Sequence, residues 1–175
     1  MQLGRPSYNV PLGRRDARTA SQAAANNSIP APTFSLDRLA STFASHGLSP
    51  QDLVVLSGGH RLGFSRCTNF RDRLYNETAT LDGSLAASLR SAPTPVHFDG
   101  AYFASLLRSR GVLHSDQQLF AGGLGVTDAL VRFYAANADA FRRDFAEAMV
   151  RMASLSPFTG SSGEIRNNCR KVNYS

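Results

Sequence analysis

The sequence predicts an all-α fold, an irregular orthogonal helical bundle rather than a coiled coil. Three observations lead to this prediction. Apolar residues recur at helical spacing in several segments, residues that start and stop helices flank those segments, and the alternation typical of strands is scarce. No internal repeat is evident, and 175 residues suffice for one domain with a sizeable core. We therefore expect residues 1–175 to form a single domain.

The first helix is expected between Ser35, which can cap its start, and His46, with Gly47 as its stop. Before it, residues 1–34 are predicted to be irregular. Several prolines interrupt any periodicity there, and the stretch 20–28 is small and polar.

A second helix is expected to begin at Ser49. Serine accepts from the first free N–H groups, and the proline that follows it loses no hydrogen bond at the first helical position. Asp52 then favours the positive end of the helix. The apolar run 53–56 is too hydrophobic to face water, and Ser57 with two glycines ends it.

Further helical segments are predicted along the rest of the chain. Thr127 and Asp139 are the expected N-caps of the last two, and the Gly-, Ser- and Asn-rich tail from Ser156 is expected to be extended. The predicted segments are 70–76, 82–90, 100–110, 127–136 and 139–152.

Composition narrows the classes of partner. Apolar content of 42% and charged content of 18% exclude a disordered chain. The net charge of +6 comes from arginine, since Lys171 is the only lysine. The arginines are scattered and are not gathered with aromatic residues, so we expect no nucleic acid partner. No apolar run approaches the length of a membrane span, so no membrane partner is expected either.

The signals for localisation conflict. The N-terminus has no apolar core of the kind a signal peptide needs, so the chain as written is expected to be intracellular. Three N-x-S/T sequons, at Asn26, Asn76 and Asn173, instead favour a secretory ancestry.

His60 follows directly after Gly58 and Gly59. Two glycines let the backbone come close to something flat or bulky, and the imidazole stands just beyond them. Two interpretations remain open from the local sequence. His60 is either a capping or hydrogen-bonded structural residue, or a ligand or catalytic residue.

Several segments together resemble the secretory plant haem peroxidases, the class III branch of the plant peroxidase superfamily. They occur in the family's order and span essentially the whole chain. The matching segments are P-L-G-R-R-D at 11–16, S-I-P-A-P at 28–32, D-L-V-V-L-S-G-G-H at 52–60, F-R-D-R-L-Y-N at 70–76, F-D-G-A-Y-F at 98–103, G-V-L-H-S-D-Q-Q-L-F at 111–120 and L-S-P-F-T-G-S-S-G-E-I-R-N-N-C-R at 155–170. The resemblance implies the proximal half of the plant haem peroxidase fold.

The resemblance also implies a haem b site. His60 would be the axial ligand of the iron, and Asp99 would accept its other imidazole N–H. Leu62 would pack beneath the macrocycle, Arg66 would pair with a propionate, and Pro30 would stand at the mouth of the substrate channel. Other roles remain open for three of these residues: a helix N-cap for Asp99, a core side chain for Leu62 and a turn residue for Pro30.

The chain departs from the family pattern in three ways. It contains no R-x-x-F-H motif, the distal pair that cleaves peroxide, so no catalytic residue is assigned. Arg61 stands where the family has a threonine that binds calcium, and the loop before Phe98 is short, so no calcium is expected. The family partners of Cys67 and Cys169 are missing, and both thiols are expected to be free or paired in another way.

By resemblance, the expected function is the oxidation of small phenolic donors by hydrogen peroxide, in the extracellular space or the vacuole. Without the distal half, we expect this chain to be weakly active or inactive. The alternatives are a haem-binding homologue without catalysis and a gene fragment without a stable haem site. The uncovered haem-side face favours self-association.

Overall fold

A computed structural model describes residues 8–61, 63–91, 96–98 and 102–173. The described residues are mainly helical and include only two short strands, which confirms the all-α prediction. The α-helices of the described residues are α1 Gln22–Ser28, α2 Leu36–Ser45, α3 Pro50–Ser57, α4 Arg71–Asn76, α5 Gly83–Ser91, α6 Tyr102–Leu106, α7 His114–Gln117, α8 Val126–Ala136 and α9 Ala138–Ala153.

Short elements connect these helices. Three 3₁₀ turns cover Gly58–Arg61, Cys67–Asn69 and Thr78–Thr80. Two strands, β1 Gly63–Ser65 and β2 Val96–Phe98, pair in antiparallel register, with Phe64 opposite His97. Within the described residues no helix is both long and apolar enough to cross a membrane.

The central helix of the fold is α3. Its Ser49 cap forms as predicted: the serine hydroxyl accepts from the Asp52 N–H, and the Asp52 carboxylate accepts from the Ser49 N–H. Leu53, Val54 and Val55 are almost fully buried. They lie in the main core, to which α2, α6, α8 and α9 also contribute. The residues that follow α3 are therefore held on a rigid support.

A smaller core lies around α4 and α5. Its buried residues include Phe70, Leu74 and Leu89. Arg73 is buried beside it and donates from Nε to the carbonyl of Gly111 at 2.8 Å.

Several local predictions were wrong. Residues 1–34 are not all irregular, because α1 forms there on a Ser21 cap. The N-cap of α8 is Gly125 rather than Thr127, and that of α9 is Asn137 rather than Asp139. The tail from Ser156, predicted to be extended, contains turns and bends and is hydrogen-bonded to the N-terminal segment, where the Arg15 N–H donates to the carbonyl of Phe158.

Candidate functional site

His60 lies in the 3₁₀ turn that follows α3. Its imidazole is 49% exposed and forms part of the wall of a cavity of about 400 Å³. Gly58 lies directly against the rings of Phe103 and Phe141, where there is no room for a Cβ atom. Glycine therefore lets the chain pass close to these rings. The packing of α3 thus positions the imidazole at the cavity wall.

The cavity brings together two residues singled out from the sequence, His60 and Pro30. Most of its lining is apolar, which suits a flat hydrophobic molecule better than a charged one. The apolar side chains include Leu39, Phe43, Leu53, Leu56 and Leu113.

The other sequence-predicted residues lie elsewhere. Arg66 is exposed, immediately before the 3₁₀ turn Cys67–Asn69, and does not belong to the described lining. Arg61 is the last residue of the turn that contains His60. Leu62 and Asp99 lie outside the described residues.

A carboxylate that the sequence analysis did not single out faces His60. Asp116, in α7, places Oδ1 2.8 Å from His60 Nδ1 and is 1% exposed. The Tyr102 hydroxyl donates to the same oxygen at 2.9 Å. The imidazole nitrogen to which the resemblance assigned Asp99 is therefore held by Asp116.

This contact determines the chemical form of the imidazole. An ionised carboxylate only accepts hydrogen bonds, so the proton of the neutral ring resides on Nδ1 and the lone pair on Nε2. The hydrogen bond to Asp116 raises the pKa of His60 above its ordinary value, and this outweighs the opposing effect of burial. The ring is thus prepared as a basic metal ligand.

The second oxygen of this carboxylate is unsatisfied. Asp116 Oδ2 is buried and has no hydrogen-bond partner among the described residues. A buried carboxylate normally has its charge offset by hydrogen bonds or a cation. A cation bound to the far nitrogen of the His60 ring would offset it from the other side.

The sequence carries a signal that would have found Asp116. Leu113, Asp116 and Leu119 follow one another at a spacing of three, and all three are buried. An acidic residue on an apolar face is expected to have a specific partner. The mixed polarity of segment 112–120 concealed this pattern, and α7 is only one turn long.

The other described histidines have different surroundings. His114 Nδ1 contacts Glu77 Oε1 at 2.6 Å, and His46 Nδ1 contacts the carbonyl of Thr42 in its own helix. The described residues contain no group of three or more His, Cys, Asp or Glu that could hold a metal ion. Cys67 and Cys169 are exposed free thiols.

Replacement of Asp116 by asparagine is expected to lower the pKa of His60, because the amide cannot stabilise the imidazolium as a carboxylate does. Since the folded pKa of His60 is raised, its stabilising contribution is present below the unfolded pKa near 6.5 and is lost as pH rises through the folded value. NMR titration of the His60 ring protons in the haem-free chain measures the shift. The curves of the other histidines should not change between the two proteins, and an unchanged His60 curve would contradict the assignment.

The chain as a whole is similar to known proteins. A protein-family model described as peroxidase matches residues 1–137. The chain is 51% identical to "Peroxidase RIP1" from Medicago truncatula over 97% of its length and 57% of that protein. It is 52% identical to "Peroxidase P7" from Brassica rapa subsp. rapa, over 99% of its length and 63% of that protein.

The chain matches only part of each of these relatives. The chain spans about 60% of the length of these relatives, since it covers 57% of one and 63% of the other. The family model nonetheless covers residues 1–137 of the 175, and the two identities extend over 97% and 99% of the chain. The chain belongs to the haem peroxidase family, on its plant class III branch.

Proposed function

We propose that this chain binds haem b with His60 as the axial ligand of the iron, and that alone it turns over hydrogen peroxide slowly. The main support is the pair of His60 Nδ1 and Asp116 Oδ1 at the wall of an apolar cavity. We assign the role of hydrogen-bond acceptor for the imidazole N–H to Asp116 instead of Asp99, which lies outside the described residues.

The residues present suit this cofactor. An apolar cavity accepts the face of a porphyrin, and positive charge beyond the His60 ring would offset Asp116 Oδ2, which has no hydrogen-bond partner among the described residues. Pro30 lines the cavity on the side we propose for donor entry. We retain packing under the macrocycle as the role of Leu62 and pairing with a propionate as the role of Arg66, whose exposed side chain can follow a propionate into solvent.

The chain's own contribution to the chemistry lies on the proximal side. Asp116 holds the proton at Nδ1, fixes the orientation of the imidazole, and makes Nε2 a stronger donor to a metal. In this family, bound haem supplies the reduction of hydrogen peroxide and the one-electron oxidation of small donors such as phenols.

Slow turnover follows from the residues available on the other face. The sequence contains no R-x-x-F-H motif, and the described lining of the cavity holds one histidine, His60. General acid–base catalysis contributes about 10²–10⁴-fold in rate, and a charge-stabilising group about 10²–10³-fold. We therefore assign no catalytic residue within this chain.

Three further features complete the proposal. The family uses calcium; we propose that its proximal site is lost here, because Arg61 stands in the sequence where the family has a threonine, and arginine offers Ca²⁺ no oxygen ligand from its side chain. Ile29, which is exposed at the cavity rim, supports self-association through this face.

We propose an extracellular or vacuolar location, as the class III branch implies.

A haemin titration tests the proposal. We expect the wild-type chain to give the Soret spectrum of histidine-ligated haem, and His60→Ala to lose it until free imidazole is added. His46→Ala is the matched control, because His46 is exposed on another helix end and should leave the spectrum unchanged. Identical spectra for wild type and His60→Ala would refute haem ligation by His60 and favour a fragment without a stable haem site.

Guaiacol oxidation separates the remaining alternatives. Turnover close to that of free haemin, together with a His60-dependent spectrum, agrees with the proposal and favours a mainly haem-binding role. Vigorous turnover that disappears in His60→Ala would overturn the proposed weakness. Sedimentation of the haem-free and haem-loaded chain measures self-association separately.

A further inference from the structure

Aromatic rings form a continuous cluster behind the His60 site. Neighbouring rings have centroids 5.1–6.1 Å apart, within the range of edge-to-face and tilted aromatic packing. We call this set the aromatic cluster; its members are Tyr102, Phe103, Phe133, Tyr134, Phe141 and Phe145.

One end of the aromatic cluster meets the candidate site directly. The Tyr102 hydroxyl donates to the Asp116 oxygen that contacts His60. The Phe103 ring lies next to Tyr102, with its centroid 5.1 Å away, and also faces Gly58. An unbroken series of contacts thus leads from His60 into the cluster.

The other end of the aromatic cluster leads through the buried Tyr134 to the exposed Phe133. This ring is 2% exposed and lies 5.5 Å from the centroid of Phe103. Its outward neighbour, Phe133, is 47% exposed and 5.2 Å away. The series therefore runs from the candidate haem site through Phe103 and Tyr134 to the surface.

The Tyr134 hydroxyl has a proton acceptor in position. It donates to Asp144 Oδ2 at 2.6 Å. Gln51 Nε2 donates to the Tyr134 hydroxyl oxygen and to Asp144 Oδ2, each at 3.0 Å. Burial raises the pKa of Tyr134 well above its ordinary value, so the hydroxyl keeps its proton while the ring is reduced. Asp144 is only partly buried, so a proton that it receives can exchange with water.

We propose that Tyr134 is a redox-active tyrosine that carries oxidising equivalents from the haem site to the surface. The inference rests on the haem binding proposed above. In a haem-loaded chain treated with hydrogen peroxide as the oxidant, the Tyr134 ring would lose one electron toward the haem site, and the rings of Phe103 and Tyr102 would lie along its path. The O–H bond breaks at the same time, and its proton goes to Asp144, which leaves a neutral tyrosyl radical and a protonated carboxyl.

The cycle closes with a donor at the surface. A one-electron donor such as a phenol or an aromatic polymer returns an electron to the radical, and Asp144 returns the proton. Such a route serves donors that are too large for a cavity of about 400 Å³. Tyr102 fits this role less well, because its acceptor Asp116 is buried and already bonded to His60.

Electron paramagnetic resonance tests the inference on the full chain loaded with haemin. The sample is mixed with hydrogen peroxide and frozen, and ring-deuterated tyrosine identifies any tyrosyl signal by narrowing it. Tyr134→Phe keeps the packing and deletes only the hydroxyl, so we expect loss of most of the signal with an unchanged Soret spectrum. Tyr75→Phe, at an exposed tyrosine outside the aromatic cluster, should keep it.

A second variant tests the proton step. Asp144→Asn still accepts a hydrogen bond but binds a proton far less readily, so we expect a smaller radical yield. A His60-dependent Soret spectrum with no tyrosyl signal, or with a signal that survives Tyr134→Phe, would overturn this inference and leave haem binding intact. Absence of the His60-dependent spectrum would overturn both.

Discussion

Replacement of Asp52 by alanine is expected to lower the free energy of unfolding by about 2–4 kcal/mol. Asp52 is 2% exposed and serves two interactions at once. It completes the Ser49 capping box at the start of α3 and accepts from the Arg151 guanidinium of α9 at 2.7–2.8 Å. Loss of a cap costs about 1 kcal/mol, and a broken buried ion pair costs more. Arg151 is 45% exposed and can reach water, which keeps the total below the usual upper range.

Urea unfolding measured at several pH values checks this prediction. Burial alone would raise the pKa of Asp52, but hydrogen bonds from Ser49 and Arg151 outweigh it, and the pKa is lowered. The contribution of Asp52 is therefore present above its unfolded pKa near 3.8 and is lost as pH falls through the folded value. Asp52→Ala should show its full deficit at neutral pH and a smaller one in acid.

Glu147→Gln is the matched control for Asp52. Glu147 also contacts Arg151, at 3.5 Å, but its side chain is 68% exposed. Exposed pairs of this kind contribute less than about 1 kcal/mol. Equal losses for the two variants would contradict the view that burial and the cap give Asp52 its importance.

Replacement of Gly58 by alanine is expected to destabilise the chain by about 1–3 kcal/mol through overpacking. A Cβ at this position would lie 2.6 Å from Cε2 of Phe141 and 3.1 Å from Cζ of Phe103. Both rings are buried in the main core and cannot move away freely. We also expect a weaker contact between His60 and Asp116, because His60 is two residues further along the same turn.

Gly59→Ala tests whether space rather than backbone freedom requires a glycine here. Neither Gly58 nor Gly59 has a positive φ, and a Cβ on Gly59 would come no closer than 3.7 Å to Phe145. Alanine restricts the unfolded chain, so this variant should be neutral or more stable by up to about 1 kcal/mol. Thermal unfolding compares the two variants, and a loss in Gly59→Ala as large as that in Gly58→Ala would refute the steric argument.

The start of α3 was predictable because its determinants are local. Ser49, Pro50 and Asp52 are neighbours in sequence and perform their capping roles within one turn. The helix α1 was missed because it has no buried residue, and without an apolar face there is no periodicity to detect. The helix α8 begins two residues earlier than predicted, after Gly125 rather than Thr127. Asp128, in its first turn, accepts from three loop N–H groups, of Ala121, Gly122 and Gly123, and these contacts were not visible in the sequence.

The candidate site was predictable only in part, for a similar reason. His60 stands out because the two glycines before it are adjacent in sequence. Its carboxylate partner comes from a position 56 residues away, and no local pattern links the two. Asp99 and Asp116 both lie within segments that match the family, and only a three-dimensional arrangement can decide which of them reaches the imidazole.

Because His60 and Asp116 are 56 residues apart, the raised pKa of the His60 imidazole depends on the folded state. In an unfolded or half-folded chain, His60 is an ordinary histidine, because α7 has not yet brought Asp116 to it. Proton placement at Nδ1, and with it the strength of Nε2 as a metal donor, arises only after α3, α6 and α7 have assembled around Tyr102 and Asp116. Under the haem ligation proposed above, the folded chain would therefore offer the iron a stronger ligand than an unfolded chain does.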